Sequence, residues 1–290
     1  MRFSSLHTHS NFCDGKDSIE QLCDAAYSKG LSAIGFSSHA PLSRKAGFHS
    51  DWHMPQERLG LYLDTIGRLK SQWAGKLQVF AGLEADYIKG AMAPADFRGR
   101  ELDYIIGSVH YVVPPHGKPF AVDGSPEEFE QGLYEGFAGR CEALVNAYWD
   151  SVEEMIHAGG FDIVGHIDLI KKNNRYHRYF SPEEEWYYAR MERAAALLAG
   201  SSFVVEVNTG GLNRGTTDEL YPSIPLLKLF YKNDVPVLVT SDAHCTEHVN
   251  GFYEEAYRTL LSLGWTKTVF FEGRVDGKAL WEKESISWGN

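Results

Sequence analysis

Long apolar runs are missing from this 290-residue chain: no stretch approaches about 18 consecutive hydrophobic residues, which excludes a membrane-spanning helix. Cysteine is scarce. Cys13, Cys23, Cys141 and Cys245 are too few for a disulfide framework at this size and form no CxxC pair, so they read as reduced thiols of a cytoplasmic protein. Positive charge is short as well. Against 39 Asp+Glu there are 28 Lys+Arg, a formal net charge of −11, with no Lys/Arg run. Such a surface repels a phosphate backbone at long range, so no nucleic-acid partner is expected. The opening Met1-Arg2-Phe3-Ser4-Ser5-Leu6 carries no long apolar stretch and no small-residue cleavage site, and no secretion signal is expected. Linkers, low-complexity tracts and internal repeats are absent too, which predicts a single domain over residues 1–290.

The rest is ordinary globular usage, 43% hydrophobic and 23% charged, enough for a sizeable core. Short β-branched or aromatic runs at 3–6, 32–37, 77–83, 103–108, 162–165, 202–207 and 235–240, with a weaker eighth at 268–271, alternate with helical patterns at 18–29, 55–73, 126–157, 182–198, 222–232 and 247–263. Alternation of this kind builds a parallel sheet with crossover helices. Ser125-Pro126-Glu127-Glu128 and Ser181-Pro182-Glu183-Glu184 supply helix starts, with a capping Ser, Pro at the first position and acids in the first turn. Gly30, Gly159-Gly160 and Gly200 mark ends. The expected fold is a βα barrel of about seven units.

Histidines and acids follow this pattern closely. His7 and His9 come after strand one, His39 after two, Glu84 at three, His110 after four, His166 after five, Asn208 after six, and Asp242 with His244 after seven. In a βα barrel the C-terminal strand ends share one rim, so residues distant in sequence meet there. His7/His9 and Asp242/His244 stand at i and i+2, on one face of an extended segment, and Asp14 follows the first pair in a turn closed by Gly15. Six histidines and three carboxylates exceed what one ion needs, and mixed imidazole and carboxylate donors suit zinc, manganese or iron. Taken singly, each residue could be a hydrogen-bonded core histidine or a capping acid; their joint register argues for a metal site. His49, His53, His116, His157, His177 and His248 fall outside the register, with His53 and His248 the nearest exceptions.

The motifs His7-Thr8-His9-Ser10-Asn11-Phe12-Cys13-Asp14-Gly15, Gly82-Leu83-Glu84-Ala85-Asp86-Tyr87, Gly107-Ser108-Val109-His110-Tyr111, Gly165-His166-Ile167-Asp168 and Ser241-Asp242-Ala243-His244 resemble the polymerase and histidinol phosphatase (PHP) superfamily, from residue 2 to about residue 263. Gly165-His166-Ile167-Asp168-Leu169-Ile170-Lys171-Lys172, Glu206-Val207-Asn208-Thr209-Gly210-Gly211-Leu212 and Tyr221-Pro222-Ser223 resemble its monofunctional histidinol-phosphatase branch. The resemblance implies a distorted (β/α)7 TIM-like barrel and three divalent metal ions (Zn, Mn or Fe). One would be held by His7, His9, Glu84 and Asp242, a second by Glu84, His110 and His166, and a third by Asp14, His39 and His244. One departure is that Ser37-Ser38 stand where family members often carry an acid before the residue matching His39.

The resemblance further implies a phosphatase that hydrolyses L-histidinol phosphate in histidine biosynthesis by attack of a metal-bridged hydroxide. Three divalent ions against three carboxylates and a hydroxide leave the site about doubly positive, which matches a phosphate monoester dianion, a small-molecule partner. Arg214, in the loop after strand six, is the first candidate phosphate clamp, followed by Lys171, Lys172 and Arg175, with Asn208 as a further substrate contact. Asp242 or His244 is the candidate acid for the leaving alkoxide. Glu206, Asp168, Asp86, Tyr111 and Tyr87 are candidates for reading the ammonium and imidazole. A nuclease or nucleotide phosphatase of the same superfamily and a metal-binding protein without turnover are the competing readings; the sequence leaves the oligomeric state open.

Overall fold

The strands of the computed structural model, which describes residues 1–287, are β1 (Ser4–Ser5), β2 (Ala33–Phe36), β3 (Gln78–Asp86), β4 (Tyr104–Ser108), β5 (Tyr111–Val112), β6 (Phe120–Ala121), β7 (Ile163–Val164), β8 (Val204–Asn208), β9 (Val237–Thr240), β10 (Lys267–Val275) and β11 (Lys278–Ser285). The helices are α1 (Ile19–Ser28), α2 (Leu59–Gln72), α3 (Pro126–Phe137), α4 (Cys141–Ala158), α5 (Glu185–Leu198), the short α6 (Gly210–Asn213), α7 (Ile224–Lys232) and α8 (Tyr253–Ser262). β1, β2, β3, β4, β7, β8 and β9 form one sheet in that order, every neighbouring pair parallel. Its two edges meet just past the strand ends. A parallel bridge joins Thr8 to Ala243, the His9 amide donates to the Ala243 carbonyl at 2.8 Å, and the Ala243 amide to the His7 carbonyl at 3.2 Å. The sheet thereby closes into a seven-stranded barrel, as expected.

Period-two alternation explains both layers of the core. One parity, including Ile34, Phe36, Val79, Ala81, Leu83, Ile105, Val205, Val207, Val237 and Val239, packs outward in a common cluster with the apolar faces of the helices. The other parity fills the barrel. Its lower layer is Leu6, Ala33, Phe80, Tyr104, Ile106, Ile163, Val204 and Leu238. Tyr104 is the large member, its hydroxyl donating to the Leu6 carbonyl. It has room because residues 35 and 82 are glycine: a Cβ there would come within 2.3 Å and 2.5 Å of the phenol. Two residues further along each strand the same face turns polar, in the series Phe80-Gly82-Glu84-Asp86, Tyr104-Ile106-Ser108-His110, Val204-Glu206-Asn208 and Leu238-Thr240-Asp242, all but fully buried.

Three expectations are corrected. Residues 268–271 do not extend the barrel; they belong to β10, which pairs antiparallel with β11 outside the seven-stranded sheet. Phe270 and Phe271 close the apolar end of the barrel, packed in the same cluster as its lower layer. Arg2 holds the hairpin through Glu272, Glu282 and Glu284 at 2.5–2.6 Å. The helix expected over 126–157 is two helices, because Ala138 (φ 53°) and Gly139 (φ 75°) both turn left-handed and their amides return to the Tyr134 and Leu133 carbonyls. Ser181 caps only a turn, accepting from the Glu183 amide at 3.2 Å, and α5 starts three residues after Pro182. Ser125 does form the full capping box with Glu128.

Among the described residues no helix is long and apolar enough to cross a membrane, and all four cysteines are free thiols. The aromatic plug makes the hairpin part of the barrel's stability. Phe271→Ala, which empties a fully buried site beside Phe80, Tyr104 and Trp281, is expected to lower the unfolding free energy by about 3–5 kcal/mol in urea titration; a loss below about 1 kcal/mol would mean that the hairpin is not integral to the core.

Candidate metal centre

Because the seven parallel strands of the barrel end at one rim, the nine expected ligands converge there. Glu84 lies at the centre with both carboxylate oxygens surrounded. Oε2 is 3.2 Å from His7 Nε2, 3.5 Å from His9 Nε2 and 3.0 Å from His39 Nδ1; Oε1 is 2.9 Å from His166 Nε2 and 3.5 Å from His110 Nε2. Asp242 Oδ1 lies 3.6 Å from His7 Nε2 and 3.3 Å from His9 Nε2. At the outer edge Asp14 approaches His244 Nε2 at 3.1 Å, His9 Nδ1 at 3.5 Å and His39 Nε2 at 3.9 Å. Four donor groups have ligand atoms within 4.8 Å of one another: His9, Asp14, His39 and His244; His7, His9 and Asp242; His7, Glu84 and His166; and His39, Glu84 and His110.

Whether these residues fit metal ions is decided by their unpaired atoms. His7 Nε2, His9 Nε2, His39 Nδ1 and Glu84 Oε2 are buried with no hydrogen-bond partner, although a buried polar group normally has one. The Nδ1 atoms of His7, His110 and His244 are held. His7 Nδ1 donates to Glu206 Oε2 at 2.8 Å, His110 Nδ1 to Asp86 Oδ1 at 2.8 Å, and His244 Nδ1 to the Asp242 carbonyl at 3.0 Å. Each bond fixes the tautomer that turns the lone pair of Nε2 toward the acids, the usual support of a metal-ligating histidine. The residues fit a cluster of cations.

Electrostatics say the same. Burial alone would raise the Glu84 carboxyl, but His7, His39 and His110 hold it well below the usual carboxylate range. Asp242 likewise resists burial through Arg214 and His7 and stays ionised. Burial opposes protonation of His110, yet Asp86 and Glu84 push it up to about 10, while desolvation takes His39 down to about 4 despite Glu84 and Asp14. The acids therefore demand positive charge in this cleft.

Above the cluster is a cavity of about 430 Å3 whose wall includes Arg214, Lys172, Thr216, Tyr221, Asp123 and Glu128. Arg214 donates to the Asp242 carbonyl and to its Oδ2, both at 2.9 Å; Asp242 presents both atoms because its φ of 47° turns the backbone left-handed. Lys172 reaches the cavity while bonded to the Asp123 carbonyl. The other sequence candidates lie elsewhere. Lys171 donates to the Leu220 carbonyl at 2.6 Å and, with Arg175, lines a separate cavity. Asn208 has its amide between Glu206 (2.8 Å) and Asp242 (3.4 Å) and its carbonyl on the Gly210 amide, so it positions acids rather than facing the cavity.

Two acids expected in the distal pocket are instead supports. Glu206 accepts from His7, from the His166 amide (2.7 Å) and from Thr240 (2.8 Å); Asp86 accepts from His110 and His53. Their i+2 relation to Asn208 and Glu84 on β8 and β3 was the available signal. Ser108, which donates to Glu84 Oε1 at 2.7 Å, shares its face with His110 in the same way. Tyr87 donates to Glu154, away from the cluster, and Asp168 accepts from the Ser223 amide at 2.8 Å. Glycines 82 and 107, which precede Glu84 and His110, make room for Tyr104 and Phe161.

Residues 5–210 match the sequence profile of the PHP domain. The chain belongs to the PHP domain family. This PHP chain is similar to the histidinol-phosphatase of Bacillus subtilis (27% identical over 261 residues, 86% of this chain and 96% of the relative) and to a Deinococcus radiodurans protein named "Probable histidinol-phosphatase" (28% over 274 residues, 92% and 96%). Its fold is similar to that of a Listeria monocytogenes protein (TM-score 0.78, 23% identity, 87% of this chain and 99% of that one). It is also similar to histidinol phosphate phosphatase from Lactococcus lactis, crystallised with zinc, L-histidinol and phosphate (TM-score 0.66, 18%, 92% and 95%). The profile thus ends before β9, while the fold likeness to the Listeria protein spans 87% of the chain.

If Glu206 orients His7 for a cation, Glu206→Gln should weaken metal binding about 10–100-fold with the fold intact, measured by competition with a chelator; unchanged affinity would remove that role.

Proposed function

We propose that this chain is a metal-dependent phosphomonoesterase that hydrolyses L-histidinol phosphate to L-histidinol and phosphate. The observation that carries the reading is the convergence of nine imidazole and carboxylate residues at one rim with Glu84 at their centre, where His7 Nε2, His9 Nε2, His39 Nδ1 and Glu84 Oε2 are buried and unpaired. It is supported by relatives named histidinol-phosphatase that align with 86–92% of the chain. Three divalent ions suit the donor set: one with His7, His9, Glu84 and Asp242, one with Glu84, His110 and His166, and one with Asp14, His39 and His244. Zinc, manganese and iron all accept such donors. When bound, such ions polarise a phosphoryl oxygen and lower the pKa of water toward neutrality.

The chain's own residues do the rest. Arg214, fixed on Asp242, presents its remaining N–H groups to the cavity, where they stabilise charge that spreads over the phosphoryl oxygens in the transition state. Lys172 adds positive charge on the same wall. Lys171 and Arg175, lining another cavity, take no part. Of the two residues considered as acids for the departing alkoxide, Asp242 is unsuited because it is held ionised; His244 stands at the solvent mouth, its side chain 19% exposed. Asp123 and Glu128 on the cavity wall, with the −11 net charge, disfavour a polynucleotide. The reading puts the protein in histidine biosynthesis, in the cytoplasm.

Phosphate release from histidinol phosphate, measured with and without chelator against a mononucleotide and a nicked duplex, tests the reading. Chelation should abolish release and added Zn, Mn or Fe restore it; full turnover without metal contradicts it. His9→Ala and Glu84→Ala should lose bound metal and activity together. Arg214→Ala should lower kcat/KM by about a hundredfold or more, the cost of one donor to developing charge; a change below about threefold removes the clamp.

A further inference from the structure

On one side the metal cavity adjoins a second cavity of about 710 Å3, and the two share Trp52, Ala121 and Glu128 as wall residues. The second is aromatic and acidic. Trp52 and Tyr111 stack within 8° of parallel at 5.3 Å, with Phe48 against Tyr111 at 4.7 Å. Asp51, Glu128 and Glu135 line it together with Lys118, His116 and His49, the last of which lies 2.8 Å from Asp51. Arg214 and Lys172 belong to the metal cavity alone. The combined space therefore offers positive charge where a phosphate would sit and π faces with negative charge where a cationic ring would sit.

We propose that Glu128 is the specificity-determining residue of this enzyme, accepting the substrate's ammonium while the Trp52–Tyr111 stack takes its imidazole. The assignment rests on the histidinol-phosphate reading above. In that substrate the ammonium is borne by the carbon next to the ester carbon, so its acceptor has to line the metal cavity itself; the ring lies one methylene further out, within reach of the second cavity. Apart from the metal-type acids, Asp123 and Glu128 are the carboxylates that line the metal cavity. Asp123 already faces Lys172 at 3.5 Å. Glu128 has no ion pair among the described residues; its Oε2 accepts from the Ser125 amide at 2.8 Å as part of the box that starts α3. That bond fixes the carboxylate against Gly124, another wall residue of the metal cavity, where an added Cβ would stand 2.5 Å from Oε2. The cap thus holds the acid in place before substrate arrives.

A capping role alone would also explain Glu128, and Glu128→Gln separates the two, since Gln closes the same box without the charge. The expected result is a rise of about tenfold or more in KM for histidinol phosphate, with kcat/KM for glycerol phosphate, which lacks the ammonium, unchanged within about twofold. Ser125→Ala, which loses cap and keeps the charge, should lower Tm yet retain the preference for histidinol phosphate. Equal losses on both substrates, or no change on either, overturn the assignment. Wild-type protein inactive on histidinol phosphate would instead remove the underlying reading, a result distinct from an active wild type indifferent to Glu128→Gln.

Discussion

A carboxylate buried to 1% exposure stays ionised only if positive charge surrounds it, and Glu84 has five histidine rings within 3.5 Å of its two oxygens. Those rings arrive on β1, β2, β4 and β7 or just beyond them, so Glu84 can be satisfied only when the barrel has closed and its strand ends are level. The dependence also runs the other way. Five acids, Asp14, Glu84, Asp86, Glu206 and Asp242, share one cleft, and their mutual repulsion is tolerable only with cations or protonated imidazoles among them. Closure of the barrel and charge balance in the cleft are therefore coupled through one side chain.

The barrel keeps this centre precise by dividing its interior along the strand axis. At one end the inward residues are apolar and capped by the two phenylalanines of β10; two residues later the same faces carry ligands and the groups that orient them. Candidate ligands at or just beyond the ends of paired strands, with supports on neighbouring inward positions, cannot shift independently. Asn208 illustrates the economy of the design: its one side chain links Glu206, Asp242 and the Gly210 amide. Side chains that border the two cavities come instead from longer connections and from the first turn of α3: Trp52, Asp123 and Arg214 from the former, Glu128 from the latter.

Much of this was legible in the sequence because parallel strands impose a simple register. Runs such as residues 78–86 and 235–240 mark strands by composition, and a ligand at the end of each needs no knowledge of the tertiary fold. What escaped depends on distance rather than register. Asp86 and Glu206 follow the same alternation as Glu84 and Asn208, but whether such an acid faces substrate or backs a ligand depends on how far the neighbouring strand extends. Proximity in sequence points Asn208, Lys171 and Arg175 at substrate, but the fold brings the Leu220 carbonyl to Lys171 and Asp242 to Asn208, which also bonds Glu206 and the Gly210 amide. His53 reaches Asp86 from a loop without periodicity. The break after Phe137 was hidden because the left-handed cap is an alanine.

The central claim is that Glu84 is a shared ligand of several cations at the rim of the barrel. Anomalous diffraction from crystals of the protein purified with its own metals tests it most directly. The account predicts peaks within bonding distance of Glu84 and of the Nε2 atoms of His7 and His9. Density confined to other parts of the molecule, in protein that turns over substrate, would contradict it.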